Sequence, residues 1–271
     1  MADSRILKSY VQDAWRAAED GFRPIHNPST EEEIGRVSSA GVDFAGVLAH
    51  ARTVGGPALR RLTFAERGAL LKGLSRAVRN HRDELLELSA HSTGTTAGDG
   101  SFDIDGAGGV FGYYAVQARK LGERTRIVDG AGAQLGKTEG FWAQHAWVSK
   151  HGAAVCINAF NFPAWGLAEK AACAWLAGVP VIAKPATSTA LLTERMVEIL
   201  LAEDLLPAGA LQLICGSTGD LLDHLDAQDV LAFTGSADTA LKLRSRPNLL
   251  ECSTVVNVEA DSLNAAVLAP G

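Results

Sequence analysis

The strongest periodic signal runs from Ala153 to Val258, where short apolar runs alternate with longer amphipathic ones. Ala153–Ile157, Pro180–Ala183, Leu211–Cys215, Val230–Phe233 and Val255–Val258 are dominated by apolar residues and have strand length, the pattern of strands buried on both faces. Helical spacing separates them, over Trp165–Leu176, Leu191–Ala202, Asp220–Leu225 and Thr239–Leu243. Strands alternating with helices through short links predict an α/β fold: a doubly wound parallel sheet with helices on both faces.

The first half of the chain has another rhythm. Residues 1–40 read as short strands and turns, clearest at Asn27-Pro28-Ser29-Thr30. From Asp43 the period becomes helical, with Phe44, Val47, Leu48 and Ala51 on one face, and Gly55-Gly56-Pro57 is expected to end that helix. Thr63-Phe-Ala-Glu66 is a capping box, in which each side chain can satisfy the other's orphan backbone donor. Leu70, Leu71, Leu74, Ala77 and Val78 then line the buried side of a longer helix, and a third is expected over Asp83–Ala90.

The glycine- and threonine-rich segment Ser92–Ser101 reads as a break, because such residues disfavour a helix interior. The next helix, carrying Phe111, Tyr113 and Tyr114, is therefore expected to open at Asp103, with Asp103 and Asp105 either a site or, the commoner meaning, acids of its first turn. Residues 124–150 carry Phe141, Trp142 and Trp147 in an extended pattern and predict a hairpin outside the main sheet. Large apolar residues on such an arm need a cover, for which a partner subunit is the natural candidate.

Composition narrows the function classes. The 271 residues are 47% hydrophobic and 21% charged, with net charge -6, the profile of a globular protein. An acidic balance without a Lys/Arg run argues against a nucleic-acid surface. Cys156, Cys173, Cys215 and Cys252 are far apart and the histidines are scattered, so reduced thiols, a cytoplasmic location and no metal site are expected. The apolar stretch Ala171–Ala183 is too short for a bilayer and is broken by Gly178 and Pro180, and the amino terminus mixes charges instead of forming an apolar signal core.

Candidate chemistry collects at strand ends, where open α/β sheets bind ligands. Asn161, in Phe160-Asn161-Phe162-Pro163, is either a helix cap or turn former, or an amide that donates to a ligand oxygen. Lys184, in Lys184-Pro185-Ala186-Thr187, is either a surface charge or a cation for a nucleotide ribose or phosphate. Phe233-Thr234-Gly235-Ser236 lets the backbone approach a phosphate at a helix start, although any strand-Gly-Ser-helix corner offers as much. Glu259 ends an apolar strand, where a carboxylate needs a partner or a task.

In this order, Asn-Phe-Pro, Ala-Lys-Pro-Ala, Phe-Thr-Gly-Ser and Val-Glu resemble the aldehyde dehydrogenase superfamily over essentially the whole chain. The resemblance implies a Rossmann-like cofactor-binding fold whose first part spans residues 1–123, an oligomerisation arm at 124–150, the main cofactor-binding domain at 151–261 and the start of a catalytic domain at 262–271. It implies Asn161 as oxyanion donor, Glu259 as general base, Lys170 as proton relay and Glu169 as an additional acid. Phe160, Lys184, Pro185, Thr187, Gly216, Phe233, Thr234, Gly235 and Ser236 are then expected to border a nicotinamide dinucleotide. Thr187 stands where NAD-preferring relatives often carry glutamate, which points to NADP, with NAD as the alternative.

Two departures from the family pattern are Ala240, where a second glycine is usual, and Ala260-Asp261-Ser262-Leu263-Asn264, where a glycine-rich stretch with a lysine is usual. The latter, with Asn-Ala-Phe-Asn-Phe-Pro, is similar to the subgroup that oxidises CoA-linked semialdehydes in phenylacetate and benzoate degradation. The resemblance thus implies NAD(P)-dependent oxidation of a small-molecule aldehyde, CoA-linked, to the acid by a homodimer or higher homo-oligomer. In that family the nucleophilic cysteine follows the glutamate by a few dozen residues, and Cys252 precedes it. The chain alone is therefore expected to be inactive, and a non-catalytic dinucleotide-binding or assembly module is the alternative reading.

Overall fold

A computed structural model of the chain describes residues 5–261 and 267–268. The expected catalytic-domain start at 262–271, including Asn264, lies outside the described residues apart from 267–268. In the N-terminal part, β1 (Ser9–Val11), β2 (Ala14–Arg16), β3 (Arg23–His26) and β4 (Glu33–Val37) form two hairpins. Asn27 makes the predicted turn between β3 and β4, its Oδ1 accepting from the Ser29 N–H at 2.8 Å and the Thr30 N–H at 3.2 Å.

Helix α1 (Phe44–His50) buries Phe44, Val47 and Leu48 as expected, but Gly55-Gly56-Pro57 does not stop the helical path. A π-helical turn over Ala51–Gly55 leads straight into α2 (Gly56–Arg61), which carries Pro57 in its first turn. Here glycine serves close approach, since a Cβ on Gly55 would collide with the Gly209 carbonyl. Helix α3 (Phe64–Asn80) opens on the predicted box: the Thr63 N–H donates to Glu66 Oε2 at 2.7 Å and the Glu66 N–H donates to Thr63 Oγ1 at 3.2 Å.

Helix α4 (Arg82–Thr93) ends on left-handed Gly94, and α5 (Ala97–Leu121) then starts six residues before Asp103, capped by Thr96. The expectation that Asp103 opens this helix is corrected, because the Thr96 cap and the packing of Gly100 against Leu86 and Ser89 of α4 outweigh the poor propensity of Gly98 and Gly100. The hairpin β5 (Ile127–Gln134) and β6 (Trp142–Trp147) forms a separate two-stranded sheet. Val128, Leu135, Phe141, Trp142, Trp147 and Val148 on and beside it are exposed.

From there the βα alternation follows the sequence pattern: β7 (Ala154–Ile157), α6 (Pro163–Leu176), β8 (Val181–Lys184), α7 (Ala190–Ala202), β9 (Leu211–Leu213), β10 (Val230–Gly235), α8 (Ala237–Arg244), α9 (Pro247–Glu251) and β11 (Val255–Ala260). Asp220–Leu225 forms only a 3-10 turn over Leu221–His224, and α9 has no counterpart in the sequence pattern. The main sheet has the order β11-β10-β7-β8-β9-β1-β2, with β7 to β11 parallel and the β1–β2 hairpin added antiparallel beside β9.

Alternate strand residues face two cores, as a period of two requires. Ala154, Cys156, Val181, Ala183 and Ala232 pack under α3, α5, α6 and α7. Val155, Ile182, Leu231 and Phe233 pack against α1, α8 and the Leu221–His224 turn. The chain leaves β7 in one direction through β8 and β9 and returns through β10 and β11 on the other side, so the switch point lies between β7 and β10. No helix among the described residues is long and apolar enough to cross a membrane.

Candidate active site

A cleft of about 190 Å³ opens at the carboxyl ends of the strands beside this switch point, lined by Phe102, Ala159, Asn161, Phe162, Trp165, Gly166, Glu169, Thr234 and Glu259. The fold thus brings together four of the residues singled out in the sequence. Asn161 stands in the loop between β7 and α6, and Glu169 is half-buried on α6 about two turns in. Thr234 and Glu259 face one another as register partners on β10 and β11.

Among the described residues the carboxylate cluster has one cation. Lys170 Nζ lies 2.7 Å from Glu169 Oε1 and 3.7 Å from Glu259 Oε2, and its side chain is only 8% exposed. Thr234 Oγ1 donates to Glu259 Oε2 at 2.9 Å. Glu259 therefore has one oxygen tied to a hydroxyl near a buried ammonium, while its side chain remains 55% exposed towards the cleft. This arrangement can orient a carboxylate for proton transfer from a water.

Asn161 is exposed, and no side-chain hydrogen bond is found for it among the described residues. Its alternative reading as a helix cap does not hold: the N-cap of α6 is Phe162, and Pro163 has no N–H to cap. The next two donors are satisfied from α5 instead, the Ala164 N–H by Asp103 Oδ2 at 3.2 Å and the Trp165 N–H by Asp103 Oδ1 at 2.7 Å. Gly166 N–H closes the first helical bond to Phe162 C=O at 2.8 Å. With the cap supplied elsewhere, the Asn161 amide is left to the cleft.

Sequence reasoning missed the groups that build the wall. Phe102, Phe162 and Trp165 form an aromatic cluster with centroids 5.0 to 6.2 Å apart. Asp103 is 1% exposed, and burial pushes its carboxyl up to about 6 against the lowering effect of the two N–H donors. The sequence offered Asp103 as a site residue or a helix-initiating acid, but no local pattern reveals its capping of α6, because its partners lie 61 and 62 residues away. Asn158, at the end of β7, is buried with both amide atoms unpaired, so it can take a water or a ligand group.

The remaining cofactor candidates follow the same strand-end edge but line no part of this cleft. Phe160 is exposed beside Asn161. Lys184 ends β8 with no ion pair among the described residues, and burial holds its ammonium below the ordinary lysine range, with Arg23 adding a like charge. Pro185 is buried, and Thr187 begins the short 3-10 turn before α7. Gly216 has φ 135° and lies against the Ser38–Ser39 backbone, where a Cβ would meet Ser39 N at 2.6 Å. Phe233 is buried, and Ser236 caps α8 by accepting from the Thr239 N–H.

These features suit a dinucleotide: an unpaired lysine, an orphaned amide and a Gly-Ser helix start lie at successive strand ends. One group competes with it, since the Ala237 N–H at the start of α8 donates to Asp261 Oδ2 at 3.1 Å. A phosphate seated there displaces that carboxylate. No group of three or more His, Cys, Asp or Glu placed to hold a metal is found among the described residues. Cys252 follows α9 at the opposite end of β11 from Glu259, and burial pushes the Cys156 thiol up to about 12, so neither belongs to this cleft as a nucleophile.

Comparison with known proteins agrees with this fold. The chain is 46% identical over 264 residues to a 3,4-dehydroadipyl-CoA semialdehyde dehydrogenase of Aromatoleum evansii, covering 97% of this chain and 51% of that protein. Among solved structures, a lactaldehyde dehydrogenase superposes with TM-score 0.82 at 21% identity, covering 95% of this chain and 52% of the other. A 3,6-anhydro-L-galactose dehydrogenase in complex with NAP superposes with TM-score 0.79 at 22% identity, covering 94% and 52%. The chain spans about half the length of the curated relatives it matches. The model of the aldehyde dehydrogenase family matches residues 15–270, and the chain belongs to that family.

Proposed function

We propose that this chain forms the cofactor-binding half of an NAD(P)-dependent dehydrogenase that oxidises a CoA-linked semialdehyde from aromatic degradation to its acid. The observation that carries the reading is the convergence of Asn161 and Glu259 on one cleft at the sheet's switch point, with Lys170 within 4 Å of Glu259. The CoA-linked substrate is supported by the name of the 46% identical relative.

Asn161 donates its amide N–H to the substrate oxygen as charge develops there. Glu259, held by Thr234 and Lys170, takes a proton from the water that releases the acyl group, and Lys170 with Glu169 passes that proton towards solvent. Lys184, Thr187, Gly235 and Ser236 hold the dinucleotide, which when bound supplies the hydride acceptor. The absence of a carboxylate at Thr187 favours NADP, because a glutamate there repels a 2'-phosphate. The attacking thiol comes from outside residues 1–271, and the exposed β5–β6 arm joins subunits into a homo-oligomer in the cytoplasm.

Calorimetric titration of the chain with NADP and NAD tests the cofactor role, with tighter binding of NADP expected. Fusing residues 1–261 to the matching C-terminal half of the Aromatoleum evansii relative tests the reaction. Oxidation of a CoA semialdehyde by that fusion, lost in its Asn161→Ala and Glu259→Gln variants, is the expected result; a fusion that binds cofactor yet turns over equally well without either side chain overturns it.

A further inference from the structure

The catalytic candidate Asn161 lies in an exposed loop, and a loop on its own does not hold an amide to the tolerance an oxyanion donor requires. One turn of α5 supplies what the loop lacks. Asp103 takes both available N–H groups of the first turn of α6, Ala164 at 3.2 Å and Trp165 at 2.7 Å. Phe102, beside it, packs its ring 5.9 Å from Phe162 and 5.0 Å from Trp165. Gly106, one turn on, is bare so that the Trp165 indole can lie on the α5 backbone, where any Cβ would collide with the ring. All three residues act within five residues of Asn161, and Pro163 stiffens the link.

We propose that Phe102, Asp103 and Gly106 form a clamp whose role is to position Asn161, with Asp103 as the positioning residue that sets where the loop meets α6. Its catalytic meaning rests on Asn161 being the oxyanion donor; the positioning itself does not. The carboxylate suits this task better than an N-cap of the usual kind. A serine or aspartate at position 162 would turn its own side chain back onto the helix, whereas capping from α5 leaves the Phe162 ring to the cleft wall and ties the loop to a 25-residue helix. An asparagine at 103 has one acceptor oxygen for two N–H donors and turns its own NH₂ towards one of them.

Charged neighbours do not share the work. Asp105 pairs with Arg82 of α4, Glu169 pairs with Lys170 on α6, and no charged side chain contributes to the raised carboxyl of Asp103.

The test is amide NMR of the ¹⁵N-labelled chain, titrated from about pH 8 to about pH 5 across the Asp103 midpoint. The backbone N–H signals of Ala164 and Trp165 and the side-chain NH₂ signals of Asn161 are expected to move together with one midpoint near 6. In Asp103→Asn that shared titration is lost. In Gly106→Ala the Asn161 signals are displaced at every pH and the midpoint stays. If Asn161 stays still while Trp165 titrates, or if none of the three titrates in the unsubstituted chain, the positioning role is overturned. The unsubstituted titration decides the matter even where Asp103→Asn does not fold. No aldehyde or cofactor is needed, so failure of the clamp and failure of the proposed reaction are separate results.

Discussion

The Asp103 carboxylate accepts a hydrogen bond from the Trp165 backbone N–H at 2.7 Å, so the helix that follows Asn161 is capped by a different helix. The far end of α6 is treated the same way. Arg67 of α3 donates from Nη1 to the Leu176 C=O at 2.9 Å and from Nε to the Leu59 C=O at 3.0 Å, while 1% exposed. Opposite charges brought from α5 and α3 thus meet the two ends of the α6 dipole, negative at the amino end and positive at the carboxyl end.

The Asp103 midpoint near 6 lies above the ordinary aspartate value of 3.8, so between these values the folded chain binds more protons than the unfolded one. Its contribution to stability is therefore greatest at the acid end of that window and falls as pH rises through it, by up to about 1.4 kcal/mol per pH unit. Glu66, Glu84 and Asp105, held low by Thr63, Arg195 and Arg82, act oppositely but are shared by the variant. Urea unfolding of Asp103→Asn beside the unsubstituted chain is expected to show a deficit that shrinks from about pH 4 to about pH 6; a constant deficit contradicts the assignment.

Replacing Arg67 by Met keeps the stem and removes the guanidinium, leaving the Leu176 carbonyl without its buried donor and the Leu59 carbonyl with only the Leu62 N–H. A loss of roughly 2–4 kcal/mol is expected, read as a lower urea midpoint with an unchanged slope. A loss below roughly 0.5 kcal/mol means that water replaces the guanidinium at the end of α6.

For cofactor selection, Lys184→Ala is expected to weaken NADP binding roughly tenfold or more, the worth of one charge-assisted hydrogen bond. Thr187→Glu is expected to weaken NADP selectively and leave NAD binding intact or improved, because the new carboxylate faces a phosphate in one case and a hydroxyl in the other. Calorimetry of the chain with both dinucleotides measures this; equal effects on the two remove Thr187 from the selectivity argument.

Within the fusion enzyme, Asn161→Ala is expected to lower kcat roughly 100- to 1000-fold, the usual cost of losing an oxyanion donor. Glu259→Gln is expected to lower the steady-state rate roughly 100-fold or more while an initial burst of reduced cofactor survives, because acyl release and not hydride transfer needs the base. Rapid-mixing absorbance separates the two, and a Glu259→Gln enzyme without a burst places the carboxylate in an earlier step.

The strands β7 to β11 and the large helices were legible because burial on both faces leaves long apolar runs and packing on one face leaves a 3.6-residue period. The capping box at Thr63 and the Asn27 turn were legible because both partners lie within three residues. Where sequence expectation failed, tertiary packing had overridden a local preference. Gly55-Gly56-Pro57 carries a helical path past Gly209 instead of ending one, and Gly100 sits inside α5 because it packs against Leu86 and Ser89 of α4.

The sequence by itself determined the α/β class, the order of the strand-end motifs and the chemistry of the candidate residues, since these depend on side-chain type and short spacing. Only the tertiary structure decided which residues meet. It seated Thr234 against Glu259 through the β10–β11 register, placed the switch point between β7 and β10, and joined Asp103 to Trp165 across 62 residues of chain. The last of these removed the cap reading of Asn161, which local propensity had favoured. A cap is needed only where helix N–H groups lack partners, and the fold had already filled that need from α5.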